Sequence, residues 1–156
     1  MNWLMIVLRL IHIGSGAMWV GMFAFVTFYL TPALAEIGPD AGKVMAALQK
    51  QRVMIVMPIL AVLTIVSGMW MMSRFYAGPS DFAASRMGMA LNVGALAAIV
   101  AFVIGIVFAR PAMMKAMTTT DPAEAQRLRA KSATLSRWAA RLLMLALAAM
   151  AVARYL

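Results

Sequence analysis

The sequence contains no cysteine, one histidine and only five acidic residues in 156 positions. Without cysteine there is no disulfide framework and no thiolate ligand for a metal. Paired carboxylates, a Ser-His-Asp set and a phosphate-binding glycine loop are also missing from the sequence, so hydrolytic and phosphoryl-transfer chemistry are not predicted. The five acids all fall in polar connections: Glu36, Asp40, Asp81, Asp121 and Glu124.

Apolar residues, in contrast, are abundant. They make up 65% of the chain and charged residues only 12%, a balance that leaves too much apolar surface for a soluble domain of this size. Four stretches each reach the roughly 20 apolar residues that a spanning helix needs. We predict an all-α integral membrane four-helix bundle, a single transmembrane domain over residues 1–156 with the lipid bilayer as its solvent.

Proline, turn and capping signals set the expected helix ends. The first helix is expected to stop before Thr31-Pro32, and Asp121 to cap the fourth helix ahead of Pro122. Pro58 inside the second span predicts a bend that neighbouring helices or a hydroxyl such as Thr64 would accommodate. The predicted helices are about 3–29, 41–75, 84–108 and 122–155, the second and fourth extending beyond the bilayer, with Asp40 as a second N-cap and a tight link over 77–81.

The two halves of the chain look alike. Pro32-Ala33-Leu34 follows the first span and Pro111-Ala112-Met113 follows the third, 79 positions later. Each is followed by a proline and aspartate pair, a basic stretch and another span. This pattern predicts a duplicated helical hairpin.

The basic residues predict the orientation. A net charge of +9 would indicate nucleic acid as partner of a soluble protein. Here the charges lie at helix ends and in connections, where anionic headgroups attract them, so no nucleic-acid partner is predicted. By the positive-inside rule we expect a bacterial-type inner membrane protein with both termini away from the cytoplasm. One side carries ten basic residues, Lys43, Lys50, Arg52, Arg110, Lys115, Arg127, Arg129, Lys131, Arg137 and Arg141; the other carries Arg9, Arg74, Arg86 and Arg154.

His12 lies about three turns into the first span, where an ionisable residue is a functional hypothesis in its own right. A neutral imidazole binds haem iron or copper, or relays a proton. Gly16, Trp19 and Phe23 share its helical face, so we expect a hollow beside the ring with aromatic walls, a shape that suits a tetrapyrrole. The competing interpretation is an interior histidine that is hydrogen-bonded and binds nothing.

Small residues on the same helix allow a further interpretation. Gly14, Ala17, Gly21 and Ala24 form a stripe that is typical of close helix packing.

Two polar residues of the third helix are further candidates for the site. Asn92 is expected to bond across helices or to meet His12. Arg86 is expected to reach lipid headgroups or, together with Arg9, to hold haem propionates.

Seventeen methionines raise the possibility of copper, because thioethers bind Cu(I). Methionine is also a flexible filler of helix interfaces, which is the alternative here. The cluster to consider first is Met71, Met72, Met87 and Met89.

Four short runs carry a resemblance to known proteins: Arg9-Leu10-Ile11-His12, Met18-Trp19-Val20-Gly21-Met22-Phe23, Gln51-Arg52-Val53-Met54-Ile55-Val56-Met57-Pro58 and Ser67-Gly68-Met69-Trp70. The first two resemble small membrane families related to copper resistance protein D. The others are similar to the second helix of the J-type protoporphyrinogen oxidases, four- to five-helix proteins whose helix-one histidine is associated with haem. The resemblance implies His12 as a ligand and Arg86 as a second site residue. Those oxidases open helix three with a histidine and a lysine, where this chain has Ala84 and Arg86, so oxidase activity is not implied.

Three functions follow as hypotheses. The first is a membrane protein that binds a b-type haem (haem b) or related tetrapyrrole at His12, as a homodimer if a second copy supplies the other axial ligand. The second is a cofactor-free accessory or assembly subunit of a larger membrane complex. The third is copper handling through methionines.

Overall fold

The computed structural model describes residues 3–77 and 81–156, and this part of the chain is helical with no strand. All of its helices except α2 are long and apolar enough to cross a membrane, which confirms the all-α membrane bundle. Residues 78–80 of the expected link over 77–81 lie outside the described residues. The helices are α1 (Trp3–Ile37), α2 (Ala41–Lys50), α3 (Val53–Tyr76), α4 (Arg86–Thr118) and α5 (Pro122–Ala153).

The helices form two hairpins. α1 packs mainly on α3, and α4 packs mainly on α5. The core between them is built around Trp19, Leu143 and several alanines, and the edge of Trp19 meets Phe102 with ring centroids 6.3 Å apart. Alanine lets helix backbones approach closely, and in lipid this van der Waals contact is what holds helices together.

Two helices run through prolines that were expected to end them. α1 continues past Pro32 to Ile37, and α4 continues past Pro111 to Thr118, so the predicted ends at about 29 and 108 are wrong. A π turn precedes each proline, Val26–Leu30 in α1 and Ile104–Ala109 in α4. The π turn widens the helix at that point, which relieves the clash between a proline ring and the carbonyl one turn earlier.

The second predicted helix is divided in two. It breaks after Lys50, where Arg52 has the left-handed φ of 57°, so the expected continuous helix over 41–75 is wrong. Pro58 lies inside α3 as predicted. The Thr64 hydroxyl does not serve the carbonyl that Pro58 leaves free, because it bonds to the Leu60 carbonyl instead.

The predicted caps differ in outcome. The Asp121 carboxylate accepts a hydrogen bond from the Ala123 N–H with Pro122 next in sequence, which confirms that cap. The Asp40 side chain makes no capping bond. It pairs with Lys43 at 2.7 Å, so the charge attraction takes the carboxylate away from the helix end.

Three of the helices are longer than the hydrocarbon layer of a bilayer is thick. α1 has 35 residues, α4 has 33 and α5 has 32, each about 50 Å long against a hydrocarbon layer of about 30 Å. Extension beyond the bilayer was expected of the second and fourth predicted helices. By length, the first and third predicted helices, which are α1 and α4, extend beyond it as well.

We call the end of the bundle with Pro32 and Pro111 the basic end, and the end with both termini the terminal end.

The hairpins repeat with the offset seen in the sequence. The π turns close with equivalent backbone bonds, from the Thr31 N–H to the Val26 carbonyl and from the Arg110 N–H to the Gly105 carbonyl, 79 residues on. Buried positions recur with the same shift: Ser15 and Gly94, Ala61 and Ala140, Thr64 and Leu143, Ser67 and Ala146.

Candidate functional site

The His12 ring is half-buried between α1 and α3, and its Nδ1 lies 2.8 Å from the backbone carbonyl oxygen of Thr64. A carbonyl oxygen only accepts, so Nδ1 must carry the hydrogen and donate it. In the neutral ring the other nitrogen, Nε2, is then an unprotonated acceptor with a free lone pair. A single contact to the neighbouring helix therefore sets the tautomer of the only histidine in the chain.

The absence of a side chain at Gly68 makes room for the His12 ring. A Cβ atom at this position would lie 2.7 Å from Cε1 and 3.0 Å from Nδ1 of His12. The imidazole therefore rests directly on the Gly68 backbone. Any side chain there would displace it.

The hollow expected beside Gly16 is filled. A Cβ on Gly16 would lie 3.3 Å from the Thr64 methyl carbon, so that threonine occupies the space predicted for a ligand. Across this antiparallel pair Thr64 fits against Gly16 and His12 fits against Gly68. The predicted ligand hollow beside Gly16 was therefore wrong, because the residues of the facing helix are unknown until the two helices are docked.

Three hydroxyls surround the His12 contact, and with His12 we call them the polar cluster (His12, Ser15, Thr64, Ser67). Ser15 donates to the Ile11 carbonyl at 2.6 Å, and the Thr64 hydroxyl lies 2.9 Å from Ser15 Oγ. The Ser67 hydroxyl lies 3.2 Å from the same Thr64 carbonyl that His12 uses. Among the described residues every fully buried side-chain nitrogen or oxygen has a hydrogen-bond partner. The hydroxyls of the cluster are thus satisfied within the chain.

Thr64, Ser67 and Gly68 were not predicted as site residues. The signal for them was present, because positions i, i+3 and i+4 share one helix face. Nothing in the sequence alone showed which helix that face would meet.

The aromatic residues expected around the ring lie elsewhere. Trp19 is 4% exposed in the core between the hairpins, seven residues or about 10 Å along the helix from His12. Phe23 packs toward the π turn of α4, 3.9 Å from where a Gly105 Cβ would be. These two side chains hold the hairpins together and do not wall the imidazole.

Asn92 and Arg86 lie toward the terminal end of α4. The Asn92 side-chain oxygen accepts a hydrogen bond from the Tyr76 hydroxyl, which confirms the expected bond across helices. Arg86 is exposed in the first turn of α4, after the N-cap Ser85, whose hydroxyl accepts from the Gly88 N–H at 3.0 Å. In the described part of the chain neither Asn92 nor Arg86 forms a hydrogen bond with His12.

The small-residue stripe of α1 has little contact with the other helices of this chain. Apart from the adjoining backbone of α1, no atom lies within 4 Å of a Cβ built on Gly14 or Gly21; Ala17 is exposed and Ala24 half-buried. Close packing at Gly14 and Gly21 therefore stays a prediction that would involve a helix of another chain. The α1 face that meets α3 is the one with His12 and Gly16.

Metal ligands of the usual kinds are sparse. Across residues 3–77 and 81–156 no group of three or more His, Cys, Asp or Glu is placed to hold a metal ion. The methionines proposed for copper lie near the terminal end, with Met71, Met72 and Met87 half-buried and Met89 exposed.

Comparisons with known proteins do not assign this site. No protein-family model, curated protein or solved structure matches the chain.

Proposed function

We propose that this chain is a bacterial-type inner-membrane protein that binds a b-type haem, or a related tetrapyrrole, through His12. The observation that carries the proposal is the 2.8 Å contact from His12 Nδ1 to the Thr64 carbonyl. Metal-bound histidines have this arrangement, in which one ring nitrogen donates to a fixed acceptor and the other keeps its lone pair for the metal. A bound haem would supply one-electron redox chemistry.

The residues around His12 hold one edge of the ring and leave Nε2 for such a ligand. Gly68 and the Thr64 carbonyl hold the edge with Nδ1 and Cε1. Thr64 also fills the space beside Gly16, so that space does not receive the ligand. His12 would bind through Nε2, while Thr64 and Gly68 orient the imidazole.

An oligomer or a larger complex belongs to the proposal. The chain has one histidine, so a second ligand to the iron would come from another copy of the chain, a methionine or water. The exposed stripe at Gly14 and Gly21 leaves room for a helix of another chain to approach closely. The distribution of Lys and Arg supports termini away from the cytoplasm.

Visible absorption of protein purified from haem-replete cells tests the ligand. We expect a Soret band in the wild-type protein and its loss in His12→Leu. The matched control is Leu91→Ala, which changes the half-buried residue at the equivalent position of the second hairpin and should keep the band. Size-exclusion profiles establish that both variants are folded. A colourless, metal-free wild-type preparation would contradict the proposal.

A cofactor-free accessory subunit is the second candidate, and one observation favours it. All fully buried side-chain nitrogens and oxygens of the described residues are hydrogen-bonded already, so the bundle needs no ligand to satisfy them. This candidate predicts a colourless protein that co-purifies with a membrane complex. Copper that remains bound in His12→Leu would instead favour methionine ligation.

A further inference from the structure

We infer that Gly68 is a positioning residue of the His12 site. Because it has no side chain, it exposes the Thr64 carbonyl to His12, fixes the ring as its Nδ1–H tautomer and leaves Nε2 for the ligand. The role in ligand binding rests on the proposed function. The tautomer itself is a property of the ligand-free chain and is testable separately.

The geometry of an α-helix explains why glycine is needed. Each Cα–Cβ bond tilts toward the helix N-terminus, so the side chain at i+4 lies beside the carbonyl of residue i. Gly68 is at i+4 from Thr64. With any other residue there, the Thr64 carbonyl would be covered on the side from which the imidazole approaches.

The imidazole of His12 occupies the space that a Gly68 side chain would fill. The three atoms closest to a Cβ at this position are Cε1, Nδ1 and Nε2 of His12, at 2.7, 3.0 and 3.7 Å. Gly16 differs, since its nearest neighbour is the methyl group of Thr64. At Gly68 the absent side chain therefore makes room for the imidazole.

The second hairpin serves as an internal comparison. Shifted by 79 positions, His12 corresponds to Leu91 and Gly68 to Leu147, so the histidine and the glycine are both replaced. Leu143 stands in the place of Thr64 and is buried there, 2% exposed. The α4–α5 hairpin packs without the histidine–glycine pair.

The tautomer is measurable because the chain has one histidine. Selective ¹⁵N-histidine labelling gives the NMR signals of a single imidazole. In the ligand-free protein at alkaline pH we expect a protonated Nδ1 and an unprotonated Nε2. In Gly68→Ala the ring is displaced, and we expect the Nε2–H form that free imidazole favours to appear. Wild-type protein with a protonated Nε2 would overturn the inference without any variant.

Gly21→Ala is the matched control. It adds the same methyl group at a glycine whose Cβ would meet no atom within 4 Å apart from the adjoining backbone of α1, so it should leave the tautomer unchanged. If folded Gly68→Ala keeps the wild-type tautomer, the inference is wrong. If Gly68→Ala is unstable, the double variant His12→Ala/Gly68→Ala should recover the stability of His12→Ala, because the methyl group then meets no ring. Absence of that recovery would also overturn the inference.

Haem titration separates this inference from the proposed function. We expect Gly68→Ala to bind haem at least about tenfold more weakly, with an altered electron paramagnetic resonance spectrum of the iron. If the wild-type protein binds no haem, the proposed function fails while the tautomer result stands. If both proteins bind haem equally and with identical spectra, the proposed function stands and Gly68 has no positioning role.

Discussion

Trp19 is the largest side chain in the core and joins the two hairpins through its edge contact with Phe102. Truncating it leaves a cavity, and neighbouring alanines have no side-chain length with which to fill it. We expect Trp19→Ala to lower the free energy of unfolding by about 3 kcal/mol, toward the lower end of large-to-small core substitutions. Unfolding in mixed micelles with increasing detergent measures this value.

Met18 is the matched control because it precedes Trp19 and is 55% exposed. Met18→Ala should change the free energy of unfolding by less than about 0.5 kcal/mol, as surface substitutions do. Equal effects of the two variants would show that Trp19 does not carry the contact between hairpins.

His12 also shows how far sequence reasoning reaches for individual side chains. Its depth in the first span follows from counting residues along one helix. Its chemical interest follows from being an ionisable residue at that depth. Its partners Thr64 and Gly68 are more than 50 positions away. They depend on how two helices cross, which local pattern does not encode.

The break between α2 and α3 is the clearest departure of an element from its expected form. Its sequence reads as one helix, yet Arg52 takes a left-handed conformation just after the C-cap Gln51. Glycine is the preferred residue at that position of a helix end. We expect Arg52→Gly to raise the local opening free energy of α2 by up to about 1 kcal/mol, since it removes strain at positive φ.

Lys50→Gly is the control for that change, because it removes the same charge two residues earlier, inside α2. It should lower the opening free energy by about 0.5–1 kcal/mol, the helix cost of glycine. Hydrogen exchange of the α2 amides measures both. Faster exchange in Arg52→Gly than in the wild-type protein would contradict the strained conformation.

The prolines of α1 and α4 illustrate a second limit at the level of helices. Local rules correctly flag Pro32 and Pro111 as points where a helix is disturbed. In both helices the chain passes through a π turn instead of ending. The Ser132 hydroxyl of α5 donates to the Ala109 carbonyl, at the end of the α4 π turn, at 2.9 Å, a contact that the local sequence does not show.

The molecule as a whole consists of two similar hairpins whose connections both lie at the basic end. Lys115 and Glu124 join α4 to α5 there, with 2.7 Å between their charged atoms. The positive-inside rule predicts that this end faces the cytoplasm.

A cysteine-free chain allows a direct test of this orientation, since each introduced cysteine is the only thiol. With a membrane-impermeant maleimide added outside intact spheroplasts, we expect Ala83→Cys and Leu156→Cys to react. Gln49→Cys and Thr120→Cys, equally exposed but at the basic end, should react only after the membrane is opened. Labelling of Gln49→Cys from outside would contradict the orientation.

Composition and hydrophobic length were enough to establish a helical membrane protein, because an apolar stretch of about 20 residues in lipid must satisfy its backbone hydrogen bonds as a helix. The 79-residue repeat and the Asp121 cap were likewise predictable from the sequence, since both are patterns along the chain. Which helix faces contact each other was not predictable, because that depends on which side chains fit together across the interface. Docking α1 on α3 put Thr64 into the gap at Gly16 and left His12 resting on Gly68.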